Sequence, residues 1–232
     1  MGYNENLFGT GLRGKLHFAR FHWLNNSIQN LNLEYESVIE LGCYDGKTID
    51  FLPNKDVRYL GLDANWDSGL DIAEEKFRHS THNYKFLQSF SPNDATIARD
   101  EFDISICMET LEHVPTASVD AYLEMLSHAT NKMAFISVPN EIGMVFFFKH
   151  LVKLAMGHSR NYTFSEFCHQ CLGKTEMVSN PGGKGGHRGF SYKKFILQVS
   201  DHFEIISVSG IPFSKLPLAM NFGVGIVGRP KQ

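Results

Sequence analysis

Short apolar runs alternate with helical patterns along most of the chain. Seven such runs predict strands, at 37–41, 59–62, 84–88, 102–108, 133–138, 203–210 and 223–227. A helix is predicted before the first run, where apolar residues recur every three or four positions from Phe21 to Leu31. Another is predicted at 119–126, with Pro115 near its start. Because strands alternate with helices, we expect an α/β fold with a mostly parallel sheet and helices on both faces.

The chain is expected to form one domain over residues 1–232. Its first part, 1–36, is predicted to be a loose arm as far as about Gly14, followed by the first helix. The long segment 140–189 does not follow the alternation of strands and helices. We interpret it as an insertion that covers the functional site.

Composition and charge narrow the possible classes of function. Hydrophobic residues make up 43% and charged residues 20% of the chain, as in ordinary globular proteins. The formal charge of −3 argues against nucleic acid as the main partner, since its phosphates require a concentrated basic surface. The sequence has no recognisable secretory signal and no apolar run of transmembrane length. We therefore expect a cytoplasmic protein.

Cys168 and Cys171 form a C-x-x-C pair, a spacing that occurs in zinc sites and redox centres. A structural zinc site needs four ligands, usually two such pairs, and the other cysteines belong to strand-end motifs. Packing within a helix is the simpler interpretation, and no metal site is predicted.

A glycine turn follows the first predicted strand, and an acid ends the second. Gly42 and Gly46 bracket the turn, and Asp63 comes 17 residues after Gly46 (63 − 46 = 17). In an open parallel sheet, ligands bind beyond the carboxyl ends of the strands, where the glycines let the backbone approach and the next helix points its amides at the ligand. An acid at about this spacing holds a ribose. The pattern predicts a site for a nucleoside-containing cofactor.

The details of the turn distinguish two cofactor classes. A nicotinamide-type fingerprint has a second glycine two positions after the first, to admit a pyrophosphate. Here Tyr44 occupies that position and Asp45 follows it. Both are poor neighbours for a diphosphate, so a cofactor with an uncharged linkage next to its ribose fits better.

Four segments together resemble the class I S-adenosylmethionine-dependent methyltransferases. Residues 40–46 (ELGCYDG) are similar to that family's first motif, and Leu62-Asp63 to its ribose-binding acid. Residues 102–115 (FDISICMETLEHVP) resemble the fourth-strand motif, most of all in the branch that contains the quinone-biosynthesis methyltransferases, and residues 136–140 resemble the end of the fifth strand. The resemblance implies a Rossmann-like, seven-stranded sheet with an antiparallel last strand and S-adenosyl-L-methionine as cofactor.

The resemblance also implies a role for individual residues. Gly42 and its neighbours would pack against the methionine portion, Glu40 would support the turn, and Asp63 would hold the ribose. The end of the third strand would lie near adenine, and the backbone after the fourth strand would meet the amino-acid end. The implied cofactor residues are Glu40, Gly42, Cys43, Tyr44, Gly46, Asp63, Ala64, Gln88, Ser89, Met108 and Glu109.

Two histidines are candidates for catalysis. Methyl transfer to a hydroxyl requires a group that takes the hydroxyl proton, and histidine suits this near neutral pH. His113 follows the fourth predicted strand, and His187 lies in a glycine-rich stretch that could fold over the site. Backbone contacts for His113 and a solvated position for His187 are the structural alternatives. We expect methylation of a small-molecule or glycan-like acceptor, at oxygen.

Other interpretations stay open at this point. The chain could bind S-adenosylmethionine without turnover, as a regulatory or scaffold protein, or act as a nicotinamide-dependent oxidoreductase. The apolar stretch 145–154 could be a lid over the acceptor, a patch on a membrane surface or a helix buried against the sheet.

Overall fold

The protein is described by a computed structural model that covers residues 12–155, 162–179 and 187–231. Seven strands form one sheet in the order β3-β2-β1-β4-β5-β7-β6. Their bounds are β1 Ser37–Leu41, β2 Arg58–Asp63, β3 Tyr84–Gln88, β4 Phe102–Met108, β5 Thr130–Pro139, β6 Phe203–Ile211 and β7 Gly223–Pro230. The α-helices are α1 Leu12–Asn30, α2 Gly69–Phe77, α3 Thr116–Ala129, α4 Gly143–Ala155, α5 Phe164–Cys171 and α6 Tyr192–His202.

The central strands are apolar along their whole length because both faces of the sheet are covered. Val38 of β1 belongs to the core cluster on one face, together with Leu24 of α1. The next residue, Ile39, belongs to the cluster on the other face, with Leu123 of α3 and Phe195 of α6. Successive side chains of a strand point to opposite faces, so a strand with continuous apolar residues needs helices on both sides. This is the architecture that the sequence predicts.

Strand direction defines the edge where a ligand is expected. β1 pairs in parallel with β2 on one side and with β4 on the other, so the strand order reverses at β1. β7 is antiparallel to both β5 and β6. Ligands of open α/β sheets bind beyond the carboxyl ends at such a switch point. The site is therefore expected beyond the ends of β1, β2, β4 and β5.

All seven predicted strands are confirmed, as is the antiparallel last strand, and α3 begins directly after Pro115. One local prediction was wrong. Leu12 and the residues up to Gly14 belong to α1, so the arm does not extend to Gly14, and its earlier residues lie outside the described range. The predicted helix after the glycine turn is present as a 3₁₀ helix of five residues, Lys47–Phe51. Its amides therefore provide only a short N-terminal turn.

Candidate functional site

The glycine turn after β1 is held in a conformation that requires glycine at its ends. Gly42 and Gly46 have φ angles of 79° and 67°, in the left-handed region that L side chains rarely adopt. The amide of Gly42 donates to the carbonyl of Leu62 at 2.7 Å, which ties the turn to β2. A Cβ on Gly42 would lie 2.0 Å from Oγ1 of Thr110. The space beside this glycine is thus filled by Thr110, where the sequence predicts the approach of a ligand.

Glu40 lies beneath the turn and is almost completely buried. One carboxylate oxygen accepts a hydrogen bond of 2.6 Å from Oγ1 of Thr48, and the other accepts one from the hydroxyl of Tyr59. Burial raises the pKa of Glu40 to about 7, although both hydrogen bonds act in the opposite direction. Because Thr48 belongs to the segment that follows the turn, this geometry agrees with a supporting role for Glu40.

Asp63 connects the end of β2 to the glycine turn. Its Oδ2 accepts a hydrogen bond from the amide of Tyr44 at 3.1 Å, and its Oδ1 accepts one from the amide of Asn65 at 2.8 Å. The amide of Ser89 donates to the carbonyl of Asp63, and the side-chain amide of Gln88 donates to the carbonyl of Ala64. The predicted ribose and adenine residues therefore lie together at the ends of β2 and β3.

Two predicted cofactor residues, Cys43 and Tyr44, have side chains directed into the protein, and a third, Gly46, lies against aromatic rings. A Cβ on Gly61 would lie 2.6 Å from Sγ of Cys43, so this thiol packs under β2 and its burial raises its pKa. A Cβ on Gly69 would lie 2.5 Å from the ring of Tyr44, so that ring covers the start of α2. A Cβ on Gly46 would meet the rings of Phe77 and Phe86. At these positions the backbone is the part that lines the turn.

Glu109, just after β4, is linked to the N-terminal helix. Met108, the last residue of β4, is paired with Ser137 of β5. The amide of the next residue, Glu109, donates to the carbonyl of the same Ser137. Its carboxylate accepts a hydrogen bond from Arg20 of α1, and His17 lies 3.9 Å away. Burial opposes ionisation of Glu109, but the charges of Arg20 and His17 prevail and its pKa is lowered. Neither residue of α1 is predicted from the sequence, because α1 has other polar positions and nothing distinguishes these two.

The structure brings the two candidate catalytic histidines together. The ring centroids of His113 and His187 are 4.7 Å apart and the rings are nearly perpendicular, at 84°. Nδ1 of His187 lies 3.6 Å from a carboxylate oxygen of Glu141. Burial lowers the pKa of both histidines, to about 4 for His187, so both imidazoles are neutral near pH 7. The glycine-rich residues 180–186 before His187 lie outside the described range.

Glu112 completes this group and is missed by the sequence interpretation. Its side chain is 0% exposed, and its Oε1 lies 3.9 Å from Nε2 of His113. Neither carboxylate oxygen has a hydrogen-bond partner within the described part of the chain. Burial raises the pKa of Glu112 well above the usual range, and the nearby Glu109 adds to the effect. One atom each from Glu112, His113 and His187 fall within 4.8 Å of one another, so the group has the composition of a metal site, which the sequence does not predict.

The insertion contacts this group. The buried side chain of Gln170, on α5, donates to the carbonyl of Glu141 at 2.5 Å and to that of Phe190 at 3.2 Å. Lys149 of α4 donates to the carboxylate of Glu141 at 3.0 Å. The segments around Glu141 and His187 are therefore joined to each other beside His113. This arrangement agrees with an insertion that covers the site.

The stretch 145–154 forms most of α4 and has both buried and exposed apolar residues. Val145 and Phe146 are buried, whereas Phe148, Leu151 and Val152 are exposed. No described helix combines the length and apolar character needed to cross a membrane. The helix is thus partly packed on the protein, and its exposed face leaves the lid and membrane-surface interpretations as hypotheses.

Sequence comparison finds relatives over part of the chain. No family model matches the chain. Two curated proteins, the "Ubiquinone biosynthesis O-methyltransferase" of Stutzerimonas stutzeri and that of Pseudomonas fluorescens, are each 26% identical to it, over 96 and 99 residues. These matches cover 41% and 43% of this chain and 40% and 41% of the relatives, so the chain spans about two fifths of the length of the relatives it matches.

Solved structures match over nearly the whole chain. An S-adenosylmethionine-dependent methyltransferase from Clostridium acetobutylicum superposes with a TM-score of 0.65 at 12% identity, covering 92% of both chains. Magnesium protoporphyrin IX methyltransferase from Synechocystis, solved with bound SAH, gives a TM-score of 0.64 at 13% identity, covering 98% of this chain and 92% of the other. The predicted Rossmann-like methyltransferase fold is confirmed.

Proposed function

We propose that this chain, which has the fold of the class I S-adenosylmethionine-dependent methyltransferases, transfers a methyl group from S-adenosylmethionine to a hydroxyl oxygen of a small-molecule or glycan-like acceptor. One observation carries the proposal. Along a single edge of the sheet, Asp63 and the glycine turn lie at the ends of β1 and β2, and His113 and His187 lie just beyond β4. The carboxylate that we propose to bind the sugar and the pair of neutral imidazoles thus share one edge of the sheet.

The polar groups at the first part of this edge suit the cofactor. Oδ2 of Asp63 accepts one backbone hydrogen bond, from Tyr44, and Oδ1 accepts a close one from Asn65 at 2.8 Å and a long one from Trp66 at 3.4 Å. A carboxylate oxygen accepts about two hydrogen bonds, so one ribose hydroxyl would donate to Oδ2 and the other would replace the long Trp66 bond at Oδ1. The amino-acid end of the cofactor carries an ammonium and a carboxylate. Glu109 and Arg20 carry the complementary charges and lie next to each other after β4. The backbone of the turn, from Gly42 to Gly46, would lie against the part of the cofactor between its ribose and its amino-acid end.

The residues near His113 would act on the acceptor. When bound, S-adenosylmethionine supplies an electrophilic methyl group on a sulfonium. A hydroxyl attacks more readily as its proton is removed, and a neutral imidazole such as His113 can accept it. The insertion, through Glu141 and Gln170, would exclude water from the reacting groups. The names of the two curated relatives support oxygen as the methylated atom.

The cofactor part is tested by calorimetry with S-adenosylhomocysteine. We expect the wild-type protein to bind it, and Asp63→Ala to lose about 3 kcal/mol of binding free energy or more, since two charge-assisted hydrogen bonds are lost at about 1.5–3 kcal/mol each. Asp63→Asn keeps the shape of the side chain and removes its charge, so it tests whether the charge is needed for binding. The matched control is Asp201→Ala, which removes an acid at the end of α6. No binding heat from the folded wild-type protein, or equal affinity in Asp63→Ala, would contradict the proposal.

The acceptor part is tested by product formation. We expect release of S-adenosylhomocysteine with a panel of phenols, hydroxylated rings and sugars, and none with the matching amines. Turnover with the amines alone would contradict methylation at oxygen.

A further inference from the structure

Glu112 is in an environment that a carboxylate occupies only with a partner. The side chain is fully buried, and both of its oxygens lack hydrogen bonds within the described residues. Burying such a polar group without a partner is costly, and native proteins rarely do so without a ligand, an ion or a structural reason. The neighbouring Leu111 belongs to the hydrophobic core, so the acid lies next to tightly packed apolar side chains.

The unused atoms around Glu112 point to one place. Nδ1 of His187 is also buried without a hydrogen-bond partner among the described residues. The ligand atoms of Glu112, His113 and His187 all lie within 4.8 Å of one another. Nitrogen and oxygen ligands bind Zn²⁺ at about 2.0–2.2 Å, so modest side-chain rotations suffice for the three to reach a common ion.

The surrounding charges favour a cation. Glu109 lies near enough to Glu112 to raise its pKa, and so does Glu141, which also approaches Nδ1 of His187 at 3.6 Å. Arg20 and Lys149 pair with Glu109 and Glu141 at the periphery of the group. The group has three acids and two basic side chains, so a cation that displaces the proton of Glu112 would be balanced by the carboxylate it leaves.

The geometry points to a binding site for one divalent transition-metal ion of the Zn²⁺ or Mn²⁺ type, with Glu112, His113 and His187 as its ligands. One carboxylate and two imidazoles are a donor set that such ions accept, and three protein ligands leave a coordination position open. The site lies beyond β4, on the same side of the sheet as the proposed methyl donor. The open position is where the acceptor hydroxyl binds.

The catalytic consequence rests on the proposed function, whereas metal binding itself does not. A hydroxyl bound to a divalent ion loses its proton more easily, because the ion stabilises the negative oxygen. The proton passes to water, the oxygen forms a bond to the methyl carbon, and the carbon–sulfur bond breaks with its electron pair staying on sulfur. With the ion bound, His113 and His187 serve as its ligands, and the ion takes over the activation of the hydroxyl that the proposed function gives to His113 in the metal-free protein.

The test measures metal binding without activity. The protein is freed of metal with a chelator and titrated with Zn²⁺ by calorimetry and with Co²⁺ by visible absorption, which reports nitrogen and oxygen ligands. We expect one site in the wild-type protein. Glu112→Gln keeps the side-chain shape and His187→Ala removes an imidazole, and each should weaken binding at least ~10-fold. His202→Ala is the matched control, since His202 pairs with Asp120 far from the site.

Two results would overturn the proposal: no stoichiometric binding of either ion at millimolar concentration, or equal binding by the wild-type protein, Glu112→Gln and His187→Ala. Circular dichroism establishes that the variants are folded. Calorimetry with S-adenosylhomocysteine separates the two proposals. Loss of metal binding in Glu112→Gln with cofactor affinity unchanged supports the metal site, and absence of cofactor binding in a protein that still binds Zn²⁺ contradicts the proposed function alone.

Discussion

The two ends of the candidate site are built in opposite ways. At the ends of β1 and β2, the acids Glu40 and Asp63 have all their oxygens engaged by hydroxyls or backbone amides. Beyond β4, the oxygens of the buried Glu112 have no hydrogen-bond partner among the residues that the structure describes. The polar groups of the first region are thus paired within the protein before a ligand binds. The second is incomplete, because its polar groups gain partners only when something binds.

Gly42→Ala tests the contact between the two regions, where Gly42 packs against Thr110. We expect this variant to show the largest change in the free energy of unfolding. The new methyl group would lie 2.0 Å from Thr110 Oγ1, and the alanine backbone would have to keep a φ of 79°. Overpacking costs about 1–3 kcal/mol and the left-handed conformation about 1–2 kcal/mol, so unfolding in urea should show a loss of about 2–5 kcal/mol. Gly143→Ala is the control, with a φ of 70° and nothing within 4 Å of the new atom. Equal losses of unfolding free energy in both variants would contradict close packing between Gly42 and Thr110.

Glu40→Gln tests the foundation of the first region through pH. The folded-state pKa of Glu40 is raised to about 7 from 4.5, so the carboxyl group favours folding below pH 4.5 and this contribution is lost as the pH rises through 7. Relative to Glu40→Gln, the wild-type free energy of unfolding should therefore fall by about 3 kcal/mol between pH 4.5 and pH 8. Urea titrations at several pH values measure this difference. The exposed Glu204→Gln is the control, and a wild-type difference as flat as the control's would refute the expectation.

Glu112→Leu tests the incomplete region, with the smallest expected effect and the opposite sign. Replacing an unpartnered buried carboxyl group by an apolar side chain should stabilise the chelator-treated protein by about 1–3 kcal/mol. The partnered Asp63→Leu should instead destabilise it, since the amides of Tyr44 and Asn65 lose their acceptor. Thermal melting of both variants gives the comparison. Loss of stability in Glu112→Leu would mean that the carboxyl group already has a structural role.

The sequence predicts the strands well because each central strand is apolar on both faces. It also predicts Asp63 beside the glycine turn, since ends of adjacent parallel strands share an edge. It does not reveal Thr110, whose contact with Gly42 depends on β4 lying next to β1. Nor does it pair Glu112 with His187, because their approach depends on the path of the insertion. The 3₁₀ segment Lys47–Phe51 shows that the turn motif alone does not determine the helix that follows.

Because β7 runs antiparallel to its neighbours, the connection between β6 and β7 lies near the expected acceptor site. Gly223, at the start of β7, pairs with Pro139 at the end of β5 and with Ile211 at the end of β6. The connection 212–222 therefore emerges at the same rim as the proposed methyl donor, and it exposes Phe213 and Phe222 there. Substitutions in this hairpin connection can reshape the entrance for a new acceptor while every strand of the scaffold keeps its sequence.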